Sequence, residues 1–270
     1  MALHYLLLLA IVQGLTEFLP VSSSGHLVLT HHLMSNASLD LCWTANRMLD
    51  VAVHIGTLLA VIVYFYKDLW GMALSIRSRQ SDNFSLLKNI VLASLPIIFI
   101  GAIIHKLEPS FLCMLTVMAW MTLIFGIVLW VADKFSKTDK ELANMSSGHS
   151  LLIGLAQALA LVPGTSRSGI TMSAARFLGY NRVETARFSL LLSIIAIGGA
   201  GTLSGYSVYQ SGDWALGSSA LIAIILSFIT GWISIAVMMK FLQRFTFVPF
   251  AIYRIILGSI LLYLIYFGSF

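Results

Sequence analysis

The sequence predicts an all-α polytopic membrane protein built as an inverted-topology repeat, each half holding one re-entrant helix-loop-helix and three transmembrane helices. Three observations lead there. Of the 270 residues 59% are hydrophobic and 10% charged, where a soluble domain has about 25% charged residues, and the mean hydropathy is +0.92. Apolar runs long enough to cross a bilayer recur along the chain, separated by short polar loops. A stretch that breaks a helix inside an apolar region, QGLTEFLPVSSSGH from Gln13 to His26, returns in altered form as GLAQALALVPGTSRSGIT from Gly154 to Thr171.

Taken in order, residues 2–33 suit one long span, but Pro20 and the run Ser22–Ser24 cut it into two pieces, each short for a full crossing. With Gly25 as a second breaker, the stretch reads as a re-entrant hairpin with the serines at its tip. Broken backbone at that depth is tolerated only against protein or a cavity. Residues 35–49, with Asn36, Asp40, Asn46 and Arg47, read as a polar connection. A span is expected at about 50–66, a loop at 67–87 carrying Lys67, Arg77 and Arg79, and a span at about 89–105 with Pro96 as a tolerated kink. A turn at 106–110 leads to a span at about 111–132. The charged segment 133–149 divides repeat 1 (about 1–140) from repeat 2 (about 147–270) within a single membrane domain, 1–270. Residues 150–178 form the second interrupted hairpin, broken at Pro163-Gly164 and Ser166–Ser168, and spans follow at about 184–208, 215–239 and 248–267.

The repeat holds in register. At an offset of 144 residues Gln13 pairs with Gln157, Leu15 with Leu159, Ser22 with Ser166, Ser24 with Ser168 and Gly25 with Gly169; at 132, Ala119 pairs with Ala251 and Gly126 with Gly258. Three crossings per half make the second half enter the membrane from the opposite face. With loop 67–87 cytoplasmic, thirteen basic residues fall at or near the inside and two, Arg47 and Lys106, outside; the positive-inside rule then fixes the orientation and puts both termini outside. The first hairpin dips in from outside, the second from the cytoplasm, and their tips can meet near the midplane.

Other classes fall away. The net charge of +5 sits in loops between apolar runs, which is topology and not a nucleic-acid footprint. No basic residue precedes the first apolar run and no small-residue cleavage site follows it, so no cleaved leader is expected. Cys42 and Cys113 form no metal or redox spacing and read as free thiols.

The chemistry concentrates at the two tips. Gln13 and Glu17, four apart, share a helix face, and an uncompensated carboxylate at membrane depth is costly. Arg167, the one basic residue predicted near the midplane, can compensate it, and a bare structural ion pair is one reading. The other is a phosphate site. Arginine presents a fork of donors to phosphate oxygens, Ser22, Ser23, Ser24, Ser166, Ser168 and Thr171 offer hydroxyls, and helix N-termini after the breaks offer N–H groups. Gly25 and Gly169 permit close backbone approach. Glu17, with Gln13, can hold a divalent metal, His26 can move a proton, and a serine of the 22–24 run can be a nucleophile. His4, His31, His32, His105 and His149 read as bystanders near segment ends, His54 is undecided, Asp50 and Glu184 read as helix caps or helix-dipole partners, and Arg187 and Arg254 fit either a cavity or the cytoplasmic face.

These two stretches resemble the signatures of a known family. QGLTEFLPVSSSGH is similar to the first signature of the bacitracin-resistance type of undecaprenyl-pyrophosphate phosphatase and PGTSRSGIT, Pro163 to Thr171, to its second; FVPFAIYR (Phe247 to Arg254) and the ETARFSLLL run from Glu184 extend the likeness over the whole chain. The resemblance implies a multi-pass enzyme of the bacterial plasma membrane with its site toward the periplasm. It would hydrolyse a C55 polyprenyl diphosphate to the monophosphate carrier used in peptidoglycan synthesis, depend on Mg²⁺ or Ca²⁺, and confer bacitracin resistance. Carried over by motif, the essential residues fall on Glu17, Ser23, His26 and Arg167, with Ser166 and Thr171 at further second-signature positions. Gln13 stands where some members have glutamate, which leaves Glu17 as the main metal or base candidate. The implied partners are the polyprenyl diphosphate and membrane lipid, with no nucleic acid; a homodimer stays open, as does the nucleophile, Ser23 or water. Because midplane broken helices are also transporter architecture, a flippase of the polyprenyl phosphate is the alternative, and a packed structural protein with Ser/Gly seams the plainest one.

Overall fold

In the computed structural model, residues 3–35, 47–78, 81–107, 109–137, 140–211 and 217–268 are described. Eleven α-helices are found among them: α1 (Leu3–Thr16), α2 (Ser23–Ser35), α3 (Arg47–Tyr64), α4 (Tyr66–Ser78), α5 (Asp82–Leu107), α6 (Leu115–Phe135), α7 (Ser147–Ala158), α8 (Arg167–Phe177), α9 (Arg182–Ser211), α10 (Gly217–Leu242) and α11 (Val248–Phe267). Five of them, α5, α6, α9, α10 and α11, are long and apolar enough to cross a membrane, and the bent pair α3–α4 adds a sixth if it is counted as one span. The protein is therefore a multi-pass membrane protein. In α5 only 17% of the most apolar window is buried inside the protein, and Ile98, Phe99 and Ile103 point outward; such a face is stable against lipid and not against water.

The order of elements repeats. A short helical hairpin (α1–α2, α7–α8) opens each half, and three long helices follow it (α3, α5, α6 and α9, α10, α11). Small residues set the packing between the halves. Gly126 of α6 lies against Arg254 and Ile255 of α11, while Gly258 of α11 lies against Leu123 of α6, and the register partners Ala119 and Ala251 are both fully buried. The hairpin helices also exchange partners: Gly14 of α1 touches Thr230 and Gly231 of α10, and Gly154 of α7 touches Ala93 of α5. Without a water-driven hydrophobic effect, close backbone approach of this kind holds membrane helices together.

Several expectations need correcting. The loop expected at 67–87 is instead α4 followed by the first turns of α5. Charges at Lys67 and Arg77 suggested a loop, but they lie in the end turns of an amphipathic helix that leaves α3 at 71° and exposes Trp70, Leu74 and Ile76. Segment 133–149 is not a plain loop either. Asp133 lies in the last turn of α6 and is buried, where Oδ1 accepts from Arg176 Nε (3.2 Å) and Arg182 Nε (2.7 Å) and Oδ2 from the backbone N–H of Phe247 (2.8 Å). Lys140 N–H donates to Gly179 O and Asn181 N–H to Lys140 O, tying this connection to the α8–α9 turn. Gly25 breaks nothing: it sits in the first turn of α2. The chain turns one step earlier, at Ser22, whose φ is +75°. Cys42, Asn36, Asp40, Asn46 and Arg79 lie outside the described residues, as do the side chains of Arg47 and Cys113.

Candidate active site

The two hairpins are broken by the same backbone device. Ser22 (φ +75°) and Ser166 (φ +67°) are the positive-φ non-glycine residues among those described, and they stand 144 positions apart, in the repeat register. Left-handed backbone costs an L-residue about 1–2 kcal/mol, so both positions must be held by their surroundings. In each tip the serine at positive φ lies beside the hydroxyl two residues on: Ser22 to Ser24 at 3.3 Å and Ser166 to Ser168 at 3.2 Å. A new helix starts immediately after, at Ser23 in the first tip and at Arg167 in the second.

The first tip presents its side chains. Glu17, 8% exposed, follows the end of α1, one turn after Gln13, and its carboxylate is the centre of the site. Oε2 accepts from Ser23 Oγ at 2.6 Å and from Gln13 Nε2 at 3.0 Å. Oε1 accepts from Arg167 Nη2 at 3.2 Å, across the two halves. The other guanidinium nitrogen, Nη1, donates to the carbonyl of Ser189 on α9 at 3.3 Å. His26, in the first turn of α2, donates from Nδ1 to Ser22 O (2.7 Å), since a carbonyl can only accept; its Nε2 meets the Tyr253 hydroxyl at 2.5 Å. The two rings also stack, with centroids 5.6 Å apart. Ser23 is half-buried and Ser24 exposed.

The second tip turns its hydroxyls inward. Ser166 Oγ caps α8 by accepting from Gly169 N–H at 3.1 Å, an N-cap bond. Ser168 Oγ donates to Leu19 O of the first tip at 2.9 Å. Thr171 Oγ1 contacts Arg167 O at 2.8 Å and Ser189 Oγ at 2.7 Å. Behind them lies Arg254 of α11, fully buried, whose Nη2 donates to the carbonyls of Gly164 (2.8 Å) and Thr165 (2.9 Å). Gly164 adopts φ +88°, and a Cβ there would strike the backbone of Met118 on α6, so only glycine fits. Met118 Sδ also approaches Gly25 of the first tip, so α6 braces both.

Sequence reasoning thus names the residues that meet: Gln13, Glu17, Ser23 and Arg167 form one connected group, with His26 in the same first turn of α2 as Ser23. It missed Tyr253, although the FVPFAIYR stretch containing it stood out. It missed Ser189 as the second anchor of Arg167. Arg254 proves to be interior; Arg187 instead bonds Asp68 of α4 and Glu184 at the edge of the bundle. His31, expected to be a bystander, bridges the Tyr5 hydroxyl (2.5 Å) and Asp50 Oδ1 (3.0 Å).

For a divalent cation the donor set is the relevant test. No cluster of three or more His, Cys, Asp or Glu side chains occurs among the described residues. Two oxygen donors meet at Glu17, its carboxylate and the Ser23 hydroxyl; Gln13 turns Nε2 toward the carboxylate, and its buried Oε1 has no hydrogen-bond partner. Hard-oxygen donors suit Mg²⁺ and Ca²⁺, with water and phosphate oxygens completing the shell. The residues fit such an ion.

A multi-pass membrane protein with an arginine–carboxylate–serine group between two helix-opening tips is the general class. The family described as bacitracin resistance protein BacA matches residues 6–260. Undecaprenyl-diphosphatase 1 of Rhodospirillum rubrum is 42% identical over 273 residues, covering 99% of this chain and 97% of its own length. The undecaprenyl-diphosphatase of Dinoroseobacter shibae is 41% identical, covering 98% and 100%, and that of Alcanivorax borkumensis is 41% identical, covering 95% and 97%. The chain belongs to the bacitracin resistance protein BacA family.

Proposed function

We propose that this chain hydrolyses undecaprenyl diphosphate to undecaprenyl phosphate and inorganic phosphate, recycling the lipid carrier of peptidoglycan synthesis and so conferring bacitracin resistance. Family membership supports the substrate, and one observation carries the chemistry: Ser23 Oγ donates to Glu17 Oε2 at 2.6 Å while Arg167 holds the other carboxylate oxygen. A hydroxyl on a carboxylate, with a guanidinium beside them, is a nucleophile–base pair next to an anion clamp.

In this reading the diphosphate enters between the tips with its tail against the outer helices. Arg167 turns from Glu17 toward the terminal phosphate. The N-terminus of α2, which opens at Ser23, adds N–H groups. Ser23 Oγ attacks the terminal phosphorus and the bond to the bridging oxygen breaks. The serine proton passes through Glu17 to the departing undecaprenyl phosphate. Water then attacks the phosphoserine, freeing inorganic phosphate, and its proton returns through Glu17 to Ser23 Oγ. His26, oriented by Ser22 O and Tyr253, holds the edge of the site where water arrives. A Mg²⁺ or Ca²⁺ ion held by Glu17 and Ser23 would neutralise phosphate oxygens. Positioning and charge stabilisation do most of the work in phosphoryl transfer. The inverted insertion of the halves, the plasma membrane and an outward-facing site belong to the same reading, supported by the distribution of basic residues.

The test is phosphate release from C55 diphosphate by purified protein in detergent. Metal-dependent release that collapses in Glu17→Gln, Ser23→Ala and Arg167→Ala supports the reading. Release surviving Ser23→Ala moves the nucleophile to water. No release from folded wild type, with polyprenyl phosphate crossing vesicle bilayers, replaces hydrolysis by flipping.

A further inference from the structure

A buried arginine ordinarily keeps a carboxylate beside it, because an ion taken out of water without a counter-charge is expensive. Among the described residues, every other buried or half-buried arginine follows this rule: Arg167 pairs with Glu17, Arg176 and Arg182 with Asp133, and Arg187 with Asp68 and Glu184. Arg254 does not. It is fully buried, and it donates to the carbonyls of Met121, Thr122, Gly164 and Thr165. Carbonyl dipoles solvate a guanidinium but leave its charge uncancelled. The remaining nitrogen, Nη1, is buried with no hydrogen-bond partner. It faces the first turn of α8, where a Cβ on Gly169 would lie 2.5 Å from it. The N-terminal end of a helix is itself positive, so two like poles meet at the second tip.

The acid of the site does not answer this charge. Glu17 is held by Arg167 on one oxygen, and His54 Nε2 stands 4.0 Å from the other. Arg254 nonetheless belongs to the loop that presents Arg167: Thr165, whose carbonyl it bonds, lies two residues before Arg167, and Gly169 two residues after. Tyr253, next along α11, meets His26. The charge is particular to the second half, since at the 132-residue offset Arg254 falls on Thr122 of α6.

We propose that Arg254 is a second cation of the substrate site, fixed behind the second tip, and that the diphosphate is its missing counter-ion. This rests on the reading of the two tips as a diphosphate site. Arg167 turns to hold the phosphates; Arg254 stays in place and acts on them through space. Between buried charges the interaction is strong and weakly screened, because little water or salt lies between them. A guanidinium one layer behind the clamp therefore favours an anion at the tips, and the anion in turn relieves the meeting of Nη1 with the positive end of α8.

The experiment measures binding, not turnover. Protein in detergent, at one fixed Mg²⁺ concentration, is titrated calorimetrically with farnesyl methylenediphosphonate, whose carbon bridge resists hydrolysis, and the melting temperature of each variant is read alongside. Arg254→Gln and Arg254→Lys both give up the fork of bonds to Gly164 and Thr165, so both should melt below wild type. Only the glutamine variant gives up the charge. It should bind the analogue about tenfold or more weakly, while the lysine variant stays within about threefold of wild type. A lysine variant as weak as the glutamine variant, or a glutamine variant that binds like wild type, would overturn the assignment. Arg254→Met repeats the neutral arm if the glutamine variant does not fold. Folded wild type that does not bind the analogue overturns the diphosphate reading and the counter-ion with it; a failure confined to Arg254 leaves that reading standing.

Discussion

The two hairpin tips are built on one backbone plan and carry opposite duties. Each turns at a serine with positive φ and opens a helix at the following residue. In the first, Ser23 bonds the Glu17 carboxylate, and His26 bonds Ser22 O and Tyr253. In the second, Ser166, Ser168 and Thr171 are bonded to a helix N-terminus, to the partner tip and to α9, and the buried Arg254 holds the loop from behind. The second tip is a scaffold for a single projecting side chain, Arg167. On the proposed reading the first tip supplies the reagents and the second the rigidity.

The comparison breaks if the two tips respond alike to substitution. The largest expected effect is on Glu17→Gln and Arg167→Ala, each lowering phosphate release by about 10³-fold, the scale of losing a preorganised electrostatic group; Ser168→Ala should cost under tenfold in the same assay. Next is Arg254→Met, which leaves the carbonyls of Gly164 and Thr165 unpaired in the interior and should destabilise the protein by about 3 kcal/mol, read as a lowered melting temperature in detergent. Smaller still, Ser166→Ala removes the α8 cap and should cost about 1 kcal/mol. Ser22→Gly should do the reverse, relieving up to about 1 kcal/mol of backbone strain, so the two melting temperatures should move in opposite directions. The smallest effect is on Tyr253→Phe, which removes one hydrogen bond to His26, worth about 1 kcal/mol at most; phosphate release should fall about fivefold, with the melting temperature lowered no more than in Ser166→Ala.

How much of this was written in the sequence follows from distance along the chain. The hairpins were legible because Pro20 and Pro163-Gly164 interrupt apolar runs, and Glu17 and Arg167 because charge at that depth requires a reason. The last span, 248–267, coincides with α11, since Pro249 and Gly268 punctuate both ends. The helix α4 was not legible: its charges cluster as a loop's would, and only the placement of Trp70, Leu74 and Ile76 on an outward surface shows it to be amphipathic. Nor was the pairing of His26 with Tyr253, which joins residues 227 positions apart, or the convergence of His54 on Glu17, which depends on how α3 leans on α1. Periodicity reports which face of a helix is apolar; it does not report which neighbour that face will meet.

The tie between Glu17 and Arg167 spans 150 residues of chain, and that separation has a consequence for biogenesis. A ribosome adding about 5–20 residues per second synthesises Glu17 roughly 8–30 seconds before Arg167, the arginine it bonds. Over that interval the first hairpin carries an unmatched acid in or beside the bilayer, which favours a shallow, waiting position at the membrane surface.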